Sequence, residues 1–257
     1  MRPKILLLDI ETFPNQGYIW NIWNEVKSME FVERHWYIMC WCAKWLGEKE
    51  IMSSALPDFK KEYSQNPEND KKILEKMWTL LDQTDIIIAH NGRKFDIKKL
   101  NTRFLYHGMT PPSPYRIIDT LEVARSTFSF TSNRLDDLGE FLGVGRKVKH
   151  GGFKELWRTC HMGATLFWSK MVRYCKGDVR LLEKVYKKLL PYINTHPNLG
   201  TYIDDDQPRC KNCGSKDLLK QGFQYTNFGK YQQYSCKKCG SWMKGRQNLL
   251  INKVKVN

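Results

Sequence analysis

The sequence predicts a mixed α/β fold, one main sheet with flanking helices, followed by a small cysteine-bearing appendage. Three observations predict it. Short apolar runs rich in β-branched and aromatic residues come first, apolar strands then alternate with segments of helical period, and two C-x-x-C pairs close a basic tail. A chain of 257 residues is long enough for one substantial core and a small second unit.

Residues 4–10 read as a buried strand that ends at acids. GYIWNIW from Gly17 and the apolar stretch from Trp36 to Leu46 are expected to continue the sheet, with KEIMSS after them, as a β-meander. In DKKILEKMWTLLDQ, Ile73, Leu74, Met77, Leu80 and Leu81 recur at helical spacing. DIIIAH from Asp85 is a short buried strand, a helix carries Lys98 to Tyr106, and TPPSPY is a loop by its prolines. Ile117 and Ile118 enter another strand, and helices fill most of the chain from Thr120 to Asn194. HPNLGTYIDDDQP, by its turn residues and acids, reads as a linker, which divides the chain into residues 1–203 and 204–257.

The formal net charge of +15 and pI of about 9.4 favour a polyanionic partner. No apolar run approaches the roughly 20 residues of a membrane-spanning helix. MRPKILLLDI has a basic start and an apolar stretch, but its acids arrive too soon for a signal peptide and no small-residue cleavage site follows. It reads as a first strand, and a cytoplasmic location with reduced thiols is expected. Cys40, Cys42, Cys160 and Cys175 stand among apolar residues and read as packed thiols, not as a disulfide framework.

Four carboxylates and a tyrosine carry the candidate chemistry. Asp9 and Glu11 leave the first apolar run two residues apart, so a strand points both to one side. Asp96 follows IIIAHN, where a strand runs into a polar loop and a helix begins. Tyr174 and Asp178 share a helix face if the helix runs through Gly177, and are less closely related if Gly177 breaks it. Singly, each has a plain structural alternative: a solvated strand end, a helix N-cap, an amphipathic tyrosine. Together they form a cluster that repels itself unless cations neutralise it, and hard divalent ions favour such oxygens. That combination implies metal-assisted cleavage of phosphodiesters.

The order and spacing of these motifs resemble the DEDDy branch of the DnaQ-like 3′–5′ exonucleases, ribonuclease H-like proteins that include proofreading domains of DNA polymerases. Asp9-Ile10-Glu11 matches the first motif, Asn91 to Asp96 the second, and Tyr174 with Asp178 the third. IIDTLEVAR and RLDDLGEFLGVGRK lie between the second and third, while HGGFKELW and YCKGDVRLLEKVY are similar to bacteriophage-type members. The resemblance implies a ribonuclease H-like mixed sheet and two Mg²⁺ or Mn²⁺ ions. Asp9, Glu11 and Asp178 would hold one ion, and Asp9 with Asp96 the other. It implies that Tyr174 orients the attacking water and that Thr12, Asn91 and Phe95 contact the terminal nucleotide.

Other polar residues receive structural readings. Asp119 is expected to cap the next helix, Asp136 and Asp137 to open one, and His90 to be a satisfied polar core residue. His150, in the basic stretch RKVKHGG, reads as part of a solvated loop.

In the tail, Cys210, Cys213, Cys236 and Cys239 have the spacing of a tetrahedral Zn²⁺ site, each pair followed by glycine. The aromatic and glycine-rich segment between them suits a hairpin. This segment resembles the zinc ribbons at the N-termini of some insertion-sequence transposases, which implies nucleic-acid contact. Residues 207–257 hold eleven Lys and Arg against one acid, Asp217, so the module is basic. The expectation is a 3′–5′ exonuclease with a zinc ribbon, acting on nucleic acid, single-stranded DNA preferred. An RNA-trimming exonuclease and a non-catalytic nucleic-acid-binding adaptor are the alternatives.

Overall fold

The computed structural model describes residues 2–20, 28–205 and 207–250. Its main sheet has five strands: β1 (Ile5–Phe13), β4 (Tyr37–Trp45), β5 (Met52–Ala55), β6 (Ile86–Ala89) and β7 (Arg116–Asp119). They stand in the order β5-β4-β1-β6-β7, with β4 antiparallel to both neighbours and β6 and β7 parallel to β1. The central strands are apolar on both faces because both faces are covered: Leu6, Leu7 and Leu8 of β1 and Ile86, Ile87 and Ile88 of β6 are all buried.

The faces separate along β4. Trp41 turns toward α2 (Lys71–Asp82) and donates its indole N–H to the Ile73 carbonyl at 2.8 Å. Its neighbours Cys40 and Cys42 must point the other way. There α8 (Thr165–Leu189), the longest helix among the described residues, packs on β1, β4 and β5. Helices α4 (Thr120–Thr127), α5 (Leu135–Phe141) and α7 (Trp157–His161) pack against α8 in turn, and the one-turn α6 (Gly152–Glu155) precedes α7. The short α1 (Lys60–Gln65) follows β5, and α3 (Asp96–Tyr106) joins β6 to β7.

Asp70, fully buried at the start of α2, ties these parts together. It accepts the Ile38 N–H of β4 at 2.9 Å and two bonds from the Arg103 guanidinium at 2.7 Å, and it lies 2.7 Å from His107 Nε2 at the end of α3. Four donors around one carboxylate offset the desolvation of its charge.

The mixed sheet with flanking helices is the architecture expected. One strand assignment fails. The stretch from Gly17 does not continue the main sheet: β2 (Gln16–Gly17) pairs only with β3 (Val32–Arg34) in a separate two-stranded ribbon. Tyr18 and Ile19 are exposed, and residues 21–23 lie outside the described residues. The described part of the run, Gly17 to Trp20, therefore lies on the surface and outside the main sheet, where β1 already has β4 and β6 on its two edges.

The four tail cysteines flank a three-stranded antiparallel sheet of β8 (Leu218–Thr226), β9 (Gly229–Cys236) and β10 (Trp242–Asn248), with β9 central. Cys210 and Cys213 precede β8, Cys236 ends β9 and Cys239 lies in the turn before β10, consistent with a small zinc ribbon. It is seated on the end of α8. Asn212, between the first two cysteines, is buried and donates its amide to the carbonyls of Leu190 at 2.7 Å and Ile193 at 3.2 Å. Both carbonyls lie at the helix end, where backbone acceptors run short of intrahelical donors, and that of Leu190 also accepts the Ile193 N–H at 3.3 Å. Lys211 adds a backbone bond, accepting from the Leu199 N–H at 2.8 Å. Asn212→Ala is expected to lower the unfolding free energy of the whole chain by about 1–3 kcal/mol, since the carbonyl of buried Ile193 loses the Asn212 donor and that of Leu190 keeps only the Ile193 N–H. Thermal unfolding reads it, with exposed Lys220→Ala as a near-neutral control.

Candidate active site

The first strand runs on to Phe13, past the expected end at residue 10. Asp9 and Glu11 therefore lie in the C-terminal half of this central strand, opposite Cys42 and Cys40 of β4, and the β1–β4 register shifts between Glu11 and Thr12. That bulge interrupts the pairing just beyond the two acids, and Thr12 and Phe13 resume it opposite Ile38 and Tyr37. Asp96, the buried first residue of α3, reaches back to β1 and accepts the Ile10 N–H at 3.1 Å. Asp178 and Tyr174 face the same place from α8, which is continuous through Gly177. The i, i+4 relation expected for an unbroken helix therefore holds.

The loop before Asp96 is shaped by Asn91, the single non-glycine residue with positive φ (66°) among the described residues. Asparagine tolerates that conformation better than most residues. Asp119 fixes the loop: its carboxylate accepts the N–H groups of Asn91 at 2.9 Å and Arg93 at 3.1 Å while capping α4 through Leu121 N–H at 3.0 Å. The expected capping role is present, with loop anchoring in addition.

Gly177 has a tertiary reason. A Cβ there would stand 2.6 Å from Val148 Cγ2, so the absent side chain lets the loop after α5 lie against α8. Asp136 holds that loop by accepting the Lys147 N–H at 2.7 Å and pairing with Arg146. Lys147 then extends into the acids, its Nζ 2.6 Å from Asp178 Oδ2 and 3.1 Å from Tyr174 Oη. The solvated-loop reading of RKVKHGG thus fails at Lys147. His150 is exposed, with its ring set edge-on against Trp157 and Tyr174 at 4.9 and 4.7 Å between centroids. A run of basic residues marked the stretch, but nothing in the sequence singled out which lysine turns inward.

Electrostatics bind these groups into one unit. Burial raises the Asp9 carboxyl well above its ordinary range, and the charges of Asp96 and Asp178 raise it further. Glu11 is raised in the same way by burial, then by Asp9 and Asp178. Asp96 is pushed up to about 7 by burial, against its backbone hydrogen bonds. Asp178 is raised by burial and pulled back by Lys147. Burial opposes the Lys147 charge, but the neighbouring Asp178 carboxylate raises its pKa overall. Burial and Asp178 push the Tyr174 phenol up, so it is protonated at neutral pH.

These residues suit divalent cations. Asp178 Oδ1 is buried without a hydrogen-bond partner, and the raised acids would be relieved by positive charge. Ligand atoms of Asp9, Glu11 and Cys175 lie within 4.8 Å of one another, and Cys175 Sγ is 3.5 Å from Asp9 Oδ2. The four cysteines read as packed thiols are all fully buried, and Cys40, Cys42 and Cys175 meet beneath the acids. Phe95 is partly exposed beside Asp96, and Thr12 follows the bulge.

Residues 45–190, more than half the chain, match the RNase_H superfamily. The chain belongs to that superfamily. Its ribonuclease H-like sheet with flanking helices is accordingly the fold expected from the sequence. The chain is similar to the DNA polymerase III PolC-type of Ureaplasma parvum serovar 3, with 37% identity over 83 residues, 31% of this chain and 5% of that protein. It is also similar in structure to the family B DNA polymerase of the hyperthermophilic archaeon Pyrobaculum calidifontis, at a TM-score of 0.55 and 15% identity over 74% of this chain and 25% of that one. The chain thus spans a small part of each relative's length. Among the described residues, no helix is long and apolar enough to cross a membrane.

The cysteine site of this RNase_H superfamily chain has the dimensions of a tetrahedral thiolate centre. Cys210 and Cys239 Sγ are 3.5 Å apart, Cys213 and Cys236 Sγ 3.6 Å, and all four lie within 4.8 Å of one another. Four sulfurs at about 2.3 Å from a Zn²⁺ stand about 3.8 Å apart, whereas a disulfide requires about 2.05 Å.

His90 is a satisfied core residue, its Nε2 donating to the Asn133 carbonyl at 3.0 Å and its Nδ1 2.9 Å from Thr120 Oγ1. Burial lowers its pKa from 6.5 to about 4, so the neutral ring contributes stability above pH about 6.5 that is lost as pH falls toward 4. The advantage of wild type over His90→Gln, read as the difference in Tm, is expected to shrink across that window. Its full size is about 3 kcal/mol at most. A difference independent of pH excludes a neutral buried imidazole.

Proposed function

We propose that this chain is a metal-dependent 3′–5′ exonuclease of the DEDDy type acting on nucleic acid, with single-stranded DNA preferred. The observation that carries the reading is the convergence of Asp9, Glu11, Asp96 and Asp178 from three distant segments beside Tyr174, with an unpartnered buried oxygen on Asp178. Bound there, two Mg²⁺ or Mn²⁺ ions would supply Lewis acidity toward the attacking water and the leaving 3′-oxygen. Asp9, Glu11 and Asp178 would hold one ion, and Asp9 with Asp96 the other. The protonated Tyr174 hydroxyl positions the attacking water, and Lys147, donating to that hydroxyl and to Asp178, fixes both. Thr12, Asn91 and Phe95 seat the terminal nucleotide.

The superfamily match supports a nuclease, and both relatives are named as DNA polymerases, which supports a nucleic-acid substrate. We assign residues 1–203 to the nuclease unit and 204–257 to a linker and Zn²⁺ ribbon held by Cys210, Cys213, Cys236 and Cys239. The ribbon's basic charge favours contact with phosphates. A cytoplasmic setting keeps these thiols reduced.

With Mg²⁺ or Mn²⁺, 5′-labelled single-stranded DNA is expected to give a ladder shortening from its 3′ end, and chelator is expected to stop it. Asp9→Ala and Asp178→Ala each reduce cleavage to background while binding persists. Full activity in either variant, or internal cuts on closed circles, overturns the proposal. Faster shortening of RNA than of DNA reassigns the substrate. Lys147→Met is expected to lower kcat with little change in KM, because Lys147 positions groups of the chain itself.

A further inference from the structure

Phe95 and Lys99 begin an alternation of aromatic and cationic side chains that leads away from the acids along α3. Lys99 Nζ is 5.7 Å from the centre of the Phe95 ring and 3.5 Å from that of Trp36. Arg103 Cζ continues the row, 5.9 Å from the Trp36 ring and 4.3 Å from the Tyr106 ring. Positions 95, 99, 103 and 106 recur at three and four residues, so they share one helix face. At 1.5 Å per residue the row reaches about 15 Å beyond Asp96.

The row is continuous with the acids and rigidly mounted. Trp36 donates its backbone N–H at 2.9 Å to Asn15, two residues beyond the end of β1, which carries Asp9 and Glu11. Arg103 is held in one orientation by two bonds to the buried Asp70. At the far end the side chains open into a cleft of about 590 Å³ lined by Arg34, Trp36, Lys71, Arg103 and Tyr106 among others. Tyr106 is 71% exposed and Phe95 37%, so both present ring surface to solvent. An aromatic this exposed at a helix end contributes little to the core. Arg103 is buried and already paired with Asp70, so Lys99, held over the Trp36 ring, is the cation of the row placed to meet an incoming anion.

We infer that this face of α3 is a binding track for the single strand upstream of the cleaved nucleotide, with Lys99 contacting a phosphate and Tyr106 stacking on a base. The inference rests on the exonuclease reading and names its substrate more narrowly: an unpaired strand several nucleotides long. Alternating positive charge and exposed rings is what an unpaired strand requires, since its bases are free to stack and its backbone carries the charge. A paired strand keeps its bases stacked within the duplex and gains little from Tyr106.

The test reads binding, so it does not require cleavage. Fluorescence anisotropy follows 5′-fluorescein oligothymidylates of about 12 and about 3 nucleotides on the full chain in an Asp9→Ala background. Tyr106→Ala and Lys99→Gln are each expected to weaken the longer oligonucleotide at least about fivefold and the shorter one much less. Lys99→Gln should also reduce the salt dependence by about one phosphate contact. Leu105→Ala, exposed on another face of α3, serves as the control and should match the background protein. Wild-type affinity of both track variants for the longer strand overturns the inference. So does an equal loss on both lengths, or an equal loss on a duplex of the longer one. If the binding pattern holds but the wild-type chain shortens no 3′ end, the track stands and the nuclease reading fails.

Discussion

Mutual repulsion among four carboxylates gathered at the end of the central strand is the constraint to which the rest of this structure answers. Asp9 and Glu11 are held on β1 by pairing with Cys42 and Cys40 of β4, just beyond the Ile5 to Leu7 stretch where β6 pairs on the other edge. Asp96 is tied to the same strand through Ile10, and Asp178 is fixed by the long helix that covers it. Burial then removes the water that would screen them. The consequence is written in their protonation, each acid being raised above its ordinary range. Positive charge is the remaining remedy, and Lys147 brings one cation to the rim.

Much of the surrounding architecture serves to hold that arrangement. Asp119 braces the loop that delivers Asp96, Asp136 braces the loop that delivers Lys147, and Gly177 leaves room for the second loop beside α8. Helix α8 connects both candidate metal centres. Its middle carries Tyr174 and Asp178, and the turn at its end is gripped by Asn212 of the cysteine knuckle. The cysteine-bearing sheet is therefore joined to the end of α8 by side-chain hydrogen bonds as well as by the chain itself.

Sequence patterns exposed the elements with strong periodicity or composition. The strand of residues 4–10, the helix of Ile73 to Leu81 and the strand after Asp85 follow from burial on one or both faces, a local property of the chain. The aromatic residues Tyr18 to Trp20 misled because β-propensity records fitness for a pleated surface and does not say whether that surface lies in the core, and all three are exposed. Gly177 left two readings open, since its role depends on Val148, 29 positions away. The cysteines at 40, 42 and 175 looked dispersed because their proximity exists only after β4 and α8 pack.

By itself, the sequence determined the fold class, the order of the acids along the chain, the four-cysteine spacing and the basic charge, because each is a pattern of residue type against local geometry. Tertiary structure alone decided that Lys147 enters the acid cluster, that Asp119 anchors a loop as well as capping a helix, and that the ribbon clasps α8. It also set Trp36 beside the cations of α3. These are contacts between distant segments, fixed by how helices and loops close over the sheet, and no local pattern encodes the distance between them.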